Sequence, residues 1–349
     1  MRIGLQLGYG RDFRQAAARV AELEKAGLDL VSIAEAYSFD AVSQLGYLAA
    51  RTDRLEITSG ILQLYSRTPT LTAMTAAGLD HVSDGRFTLG IGASGPQVVE
   101  GFHGVRYDAP LGRTREIVEI CRQVWRREKV DHSGRYYQIP LRGDASTGLG
   151  KPLKIINHPV RERIPISIAA IGPKNVALAA EIAEGWEPIF FHPEKAREVW
   201  GPSLASGRAK RSPELGELDI TVGIPVAFCE NRTAAEVFLD AVRPQLALYI
   251  GGMGARGKNF YHDLACRYGY EEAADLIQGH YLDGRRNDAA AAVPDDLVRA
   301  VSLIGSRADI EERLAALRAA GITTVKADLL SPDHADQLAA VERLSEITG

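Results

Sequence analysis

Cysteine is scarce in this chain: Cys121, Cys229 and Cys266 are the only three in 349 residues. They are odd in number and far apart, so neither a disulfide framework nor a closely spaced metal-ligand set follows from them. Cys121 lies on an apolar helical face and reads as core. No run approaches 18 uninterrupted apolar residues, which argues against a membrane-spanning helix. A basic segment followed by an apolar signal run is missing at the start, so the expected compartment is the cytoplasm. Excess charge of one sign is missing too. A formal net charge of −4 gives no reason to expect nucleic acid or an anionic membrane surface as partner. Internal repeats and low-complexity tracts are not found.

What is present is a hydrophobic fraction of 46% with 25% charge, enough for a large buried core. Short apolar runs alternate with amphipathic helical patterns. The strand-like runs are Arg2–Leu7, Leu28–Ala34, Leu55–Gly60, Arg86–Leu89, Ile164–Ala170, Trp186–Phe191, Leu218–Phe228 and Ile322–Leu329. The helices between them begin at ordinary start signals, such as Asp12 before the first and Pro69 at the head of the third. A glycine-rich segment at 96–109, a hairpin and loop at 128–163 and extra helices at 254–301 interrupt the pattern. Eight strands with intervening helices and no linker predict a single α/β domain over 1–349, a (β/α)8 TIM barrel with insertions. A doubly wound sheet with a helical domain is the alternative.

Gly90-Ile91-Gly92-Ala93-Ser94-Gly95 matches the G-x-G-x-x-G dinucleotide fingerprint by letter. That fingerprint belongs to a first strand–turn–helix unit with an acidic residue about 20 positions on. Here it follows the fourth strand, and Glu116 and Glu119 downstream fall inside a helical pattern. A loop binding a phosphate or a ring in another α/β fold, or a bare turn, fits better.

In a barrel the chain just after each strand faces the site. The candidates are then Tyr9; Glu35, Tyr37 and Asp40; Ser59, Gly60, Ile61 and Gln63; Gly92, Ala93, Ser94 and Gly95; Ile171, Gly172, Pro173 and Lys174; and Phe190, Phe191 and His192. Glycines and hydroxyls dominate, which suits a planar ring laid against backbone and a small organic substrate. Hydrolysis at a metal, or by a Ser–His–Asp or Cys–His arrangement, has no support. Ile171 to Lys174 lie where a strand passes into a helix, and the free N–H groups there bind anions. Asp40 is equally a helix cap, Glu35 a salt-bridge partner, and His192 a loop residue before Pro193.

Taken together these segments resemble the luciferase-like flavin and deazaflavin oxidoreductases. The likeness is greatest to the branch that uses coenzyme F420, which includes methylenetetrahydromethanopterin reductases and actinobacterial relatives. The carriers are RIGLQL, AEAYSFDAVSQLGYLAARTDRLEITSGI, HVSDGRFTLGIGASGP, IAAIGPKNVALAAEIAEGW and LIGSRADIEERLAALRAAGI, in order along nearly the whole chain. The resemblance implies a (β/α)8 barrel, coenzyme F420 (or FMN in the related monooxygenases) and a homodimer. It implies a non-prolyl cis peptide at Gly60-Ile61 behind the ring, with Gly92 to Gly95 along the ring and its side chain. Ile171, Gly172, Pro173 and Lys174 would hold the tail phosphate, with Tyr37 and Asp40 near the ring edge and Glu35 or His192 as acid–base groups. One departure stands out. Members that oxidise glucose 6-phosphate look like SDHFHPW after the second strand, whereas this chain has AEAYSFD, with Ala36 in place of their histidine. The sugar-phosphate activity is therefore not expected. The remaining alternatives are an FMN-dependent monooxygenase of the same fold and a flavin-binding protein without catalysis.

Overall fold

The computed structural model describes residues 1–10 and 12–349. Eight parallel strands close on themselves: β1 (Arg2–Leu7), β2 (Leu30–Ile33), β3 (Glu56–Ser59), β4 (Phe87–Gly92), β5 (Ile166–Ala169), β6 (Gly185–Glu187), β7 (Asp219–Phe228) and β8 (Thr324–Leu329). Each pairs with the next, β6 reaches β7, and β8 lies beside β1. The ring has no open edge, which rules out the doubly wound alternative and confirms the barrel.

Helices α1 (Phe13–Lys25), α2 (Ala41–Ala49), α3 (Pro69–Val82), α4 (Pro110–Trp125), α5 (Pro173–Ile182), α6 (Gly201–Arg208), α7 (Arg232–Ala247), α8 (Arg307–Ala319) and α9 (His334–Thr348) surround it. Their starts follow side-chain chemistry. Asp12 accepts from Gln15 N–H, and Thr68 accepts from Leu71 N–H ahead of Pro69. The extra helices Phe260–Arg267, Glu271–Leu282, Arg286–Ala291 and Asp295–Ala300 pack with α7 into a second small core around Leu246, Ile277 and Leu297. No helix among the described residues is long and apolar enough to cross a membrane.

Several boundaries differ from the sequence reading, each for a physical reason. β4 extends to Gly92, so the first half of the G-x-G-x-x-G match is strand and not loop. Gly90 is glycine because a Cβ there would overlap the Ser59 carbonyl oxygen of the neighbouring strand. β6 stops at Glu187 because Pro188 has no N–H to donate to a ladder. After β6 the chain forms a 3₁₀ turn at Pro193–Lys195 and helices Ala196–Val199 and α6, with Pro202 entering the last. A short strand, Leu303–Gly305, adds to the far end of β7 ahead of α8.

The registers also fix what fills the barrel. Alternate residues of a strand point inward, and in such barrels layers are built from alternate strands. Stepping one residue further along at each neighbouring strand brings Lys326 of β8, Ser32 of β2, Gly90 of β4 and Glu187 of β6 to one level. The contacts agree: Lys326 Nζ pairs with Glu187 Oε1 and donates to Ser32 Oγ at 3.3 Å. Lys326 is only 1% exposed. The next level up holds Gln6, Gly60, Ala169 and Gly223, and above it stand Ala34, Gly92 and Asp328. Beside Gly223 the lumen is open, since a Cβ there would meet nothing within 4 Å.

A buried charge left without its partner costs about 3–5 kcal/mol. Lys326→Met is therefore expected to lower the unfolding free energy by about 3 kcal/mol, and adding Glu187→Gln to recover most of it. Urea unfolding of the two variants checks this; a neutral single substitution would contradict the assignment of the pair.

Candidate functional site

At the end of β3 the peptide bond between Gly60 and Ile61 is cis, as the resemblance implied. Gly60 N–H donates to Ile33 O at 2.7 Å, and Ile61 O accepts from Glu35 N–H at 3.4 Å. The segment after β2 thus holds both sides of the bond. The chain continues as the short strand Leu62–Gln63 beside Ile91 and Gly92. Ser59 is fully buried, and its hydroxyl bridges the N–H and C=O of Gly90 at 2.9 Å each, which makes it part of the barrel wall. Gln63 is different. Its Nε2 donates to Ala36 O at 3.1 Å, while its Oε1 is buried without a partner. A buried carbonyl oxygen with nothing to accept from points to a ligand donor or water.

The loop after β2 is tied down by its acids. Glu35 meets Arg67 through Oε1 at 2.5 Å and Oε2 at 2.9 Å, and Oε2 also accepts from Ala41 N–H at 3.0 Å. Asp40 caps α2 by accepting from Val42 and Ser43 N–H. Asp40 titrates below its ordinary value: its bonds from Ser43 and Val42 and the nearby Arg67 outweigh the opposing effect of burial. Both acids therefore shape the loop. Tyr37 is exposed, 6.2 Å from the Phe102 ring, and shares an electrostatic neighbourhood with Tyr9 and Tyr249. Phe190, Tyr249 and Tyr261 pack edge to face at 4.7–6.3 Å between centroids, joining the loop after β6 to the chain beyond α7.

Gly92 closes β4, and a Cβ on it would press on Ile61 and Ala169 at 3.1–3.3 Å. Ala93 and Ser94 follow, Ser94 with φ of 56°, and Gly95 begins the short helix Pro96–Val99. Across the mouth, Ile171 leads into α5. Gly172 is its N-cap with no side-chain bond to the first turn, Pro173 is at its head and Lys174 is exposed. The first N–H groups of α5 are free for an anion. Arg267, which sequence reasoning missed, reaches the same place. Its Nη2 donates to Ile171 O at 2.7 Å, its guanidinium lies 4.9 Å from the Trp200 ring, and its Nη1 is buried without a partner.

His192 does not face this mouth. Its Nδ1 lies 3.0 Å from Glu194, its Nε2 3.4 Å from the Tyr270 hydroxyl, and its ring packs on Tyr268. It belongs to the packing between the β6 loop and the extra helices. Lys326, Glu187 and Asp328 were also missed. The pattern Thr324-Val-Lys-Ala-Asp had the signal: Lys326 and Asp328 alternate with apolar Val325 and Ala327, which assigns them to one face.

The mouth of the (β/α)8 barrel thus has a floor of small residues, a buried acceptor without a partner at one side, and an uncapped helix N-terminus beside a partly unpartnered guanidinium at the other. The chain belongs to the luciferase-like monooxygenase family, whose model matches residues 1–324. It is 43% identical over 347 residues, 98% of this chain and 99% of the other, to a provisionally named coenzyme F420-dependent oxidoreductase of Mycobacterium tuberculosis. A 5,10-methylenetetrahydromethanopterin reductase of Archaeoglobus fulgidus is 28% identical, with 99% and 98% of the two chains covered. Among solved structures, the coenzyme F420 dependent tetrahydromethanopterin reductase from Methanopyrus kandleri superposes with a TM-score of 0.80 at 21% identity, covering 99% and 97%.

Burial lowers the His192 imidazole below its ordinary value, against the opposing pull of Glu194. A depressed histidine contributes stability above its unfolded value of about 6.5, and loses it as the pH falls toward the folded value. Wild-type protein should therefore lose more unfolding free energy between pH 7 and pH 5 than His192→Gln, measured by urea titration at each pH. Equal slopes would remove His192 from the account.

Proposed function

We propose that this protein is a coenzyme F420-dependent oxidoreductase acting on a small organic substrate. The observation that carries the reading is the two-ended mouth: a floor of Gly60, Ala169 and Gly223 with Gln63 at one side, and the uncapped α5 terminus with Arg267 at the other. The 43% identical relative is named for the same cofactor. When bound, the deazaflavin supplies or takes up a hydride at C5. This chain's residues do the rest. The small residues of the floor admit a flat ring. Gln63 Oε1 accepts from a ring N–H, which satisfies its buried oxygen. Gly172, Lys174 and Arg267 hold the tail phosphate through backbone N–H groups and charge. Tyr9, Tyr37 and Tyr249 line the approach of the substrate and exclude water from it. Glu35 and Asp40 keep the loop after β2 in place.

The reading includes a homodimer in the cytoplasm. Leu71, Met74 and Val82 are 46–58% exposed on one face of α3, and Gly78 between them leaves room for a close helix approach. Sedimentation should find a dimer for the wild type and a shift toward monomer for Met74→Asp; equal masses would overturn this part.

The cofactor is tested by titrating the protein with F420 and, separately, FMN, read by tryptophan quenching; Trp200 lies beneath Arg267. Saturable F420 binding tighter than FMN is expected. Gly172→Asp and Arg267→Ala should each weaken it about tenfold or more, some 1.4 kcal/mol. A Cβ at Gly172 meets nothing within 4 Å, so the first substitution leaves the fold intact. Tighter FMN binding would move the protein to the oxygen-using monooxygenases, and binding of neither would defeat the reading.

A further inference from the structure

We propose that Asp328 is the residue that moves the proton in this reaction, giving it from its carboxyl to the substrate heteroatom and taking it back in the reverse direction. The inference rests on the oxidoreductase reading above and deepens it. Reduction of a C=O or C=N bond adds a hydride to carbon and a proton to oxygen or nitrogen, so some group must provide that proton.

Position comes first. On β8 Asp328 pairs with Pro225 of β7 and stands two residues beyond Lys326, whose side chain crosses the lumen to Glu187 and Ser32. Two residues along a strand keep the same face and advance about 6.6 Å. Asp328 is therefore on the lumen side, at the level of Ala34 and Gly92, at the rim of the open floor.

Availability comes second. The other acids near the mouth are occupied: Glu187 by Lys326, Glu35 by Arg67 and Ala41, Asp40 by the first turn of α2. His192 is turned to Glu194 and Tyr270. The Asp328 carboxyl makes no hydrogen bond or ion pair with any described residue, and Asp328 is half-buried.

The surroundings agree. From β1 it is faced by Gln6, and from β7 by Gly223 and Pro225, none of which titrates. The charged groups of the lumen are Lys326, already paired, and Glu187, both a level and more below. The nearest phenol on the adjoining β1 loop is Tyr9. Burial raises the Asp328 carboxyl above its ordinary value, and it is the one cause of the shift. A carboxylic acid kept neutral longer is fitted to donate.

The step balances as follows. The Asp328 O–H bond breaks as the heteroatom–H bond of the product forms, using the electron pair of the former π bond. The substrate carbon gains the hydride that reduced F420 provides, so substrate is reduced and deazaflavin oxidised. The carboxylate regains its proton from water at the open mouth.

The test uses the whole protein labelled at its aspartate carboxyl carbons, with Asp328→Asn assigning the resonance. The Asp328 carboxyl should titrate above the usual carboxylate range. Its resonance should also move on addition of F420, saturating at the concentration that saturates tryptophan quenching. Asp328→Asn should bind F420 within about twofold of wild type, because the group serves the substrate and not the cofactor. An ordinary or depressed titration, a resonance indifferent to bound F420, or a tenfold loss of F420 affinity in the variant would each overturn the proposal while leaving the cofactor reading intact. Failure of the wild type to bind F420 would instead defeat the cofactor reading, and this inference with it.

Discussion

The pairing of Lys326 with Glu187 across the barrel sets the depth of everything above it. An ion pair in a protein interior adds little net stability, because desolvation of both charges offsets their attraction. Its effect here is geometric. Two long side chains from β8 and β6 meet at one level, Ser32 supplies a third partner, and Gly60 leaves them the room, since a Cβ there would overlap Ser32 Oγ and lie 3.2 Å from Lys326 Nζ. Below, Leu30 and the Lys326 stem fill the space that Gly4 leaves. Above, the lumen-facing residues are small, and the packed core gives way to a cleft. Removing the charged level would let that boundary drift. With it in place, the floor of Gly60, Ala169 and Gly223 has a fixed support.

That support explains why the two ends of the cleft are built from backbone and orphan polar atoms. A flat ligand on a shallow floor gains position from its edges. Gln63 offers an unpaired acceptor on the β3 side, and Arg267 an unpaired donor on the β5 side. Arg267 comes from the inserted helices, so the insertion does more than cover the barrel. It brings a cation to the head of α5 and sets Tyr261 against Phe190 and Tyr249. The acids of the β2 loop are used up in holding that loop against Arg67, which is what a rigid rim requires.

The barrel was legible in the sequence because its signals are local. RIGLQL, LEITSG and the helix starts at Asp12 and Pro69 declare themselves within a few residues. The limits of β4 and β6 were misplaced for nonlocal and local reasons respectively: Gly90 is in a strand because Ser59 of the next strand approaches it, whereas Pro188 could have been read as a stop. The Gly60-Ile61 cis bond came from family likeness alone, since no spacing rule marks it. Glu35, read as an acid–base group or a salt-bridge partner, is paired with Arg67, and Asp40, read as near the ring edge or as a helix cap, caps α2. The lumen face of Lys326 could be read from the alternation Thr324-Val-Lys-Ala-Asp, but what Lys326, Glu187 and Arg267 do could not. Their roles arise from partners 139, 139 and 96 positions away along the chain, and no window along the sequence contains both members.

The same separation bears on where acid–base chemistry is placed. The resemblance sets a histidine after the second strand in the members that oxidise glucose 6-phosphate. Here Ala36 occupies the place, and its carbonyl accepts from Gln63, so the position serves the wall. Glu35 beside it is locked into its ion pair. A barrel offers eight strand ends around one mouth, and a function lost at one can be met at another without altering the fold. β8 lies next to β1, on the far side of it from β2, and ends in the one unpaired lumen-facing carboxyl among the described residues of the eight strands. On the proposed reading, a proton carrier at the end of β8 meets a different edge of the substrate from one on the β2 loop.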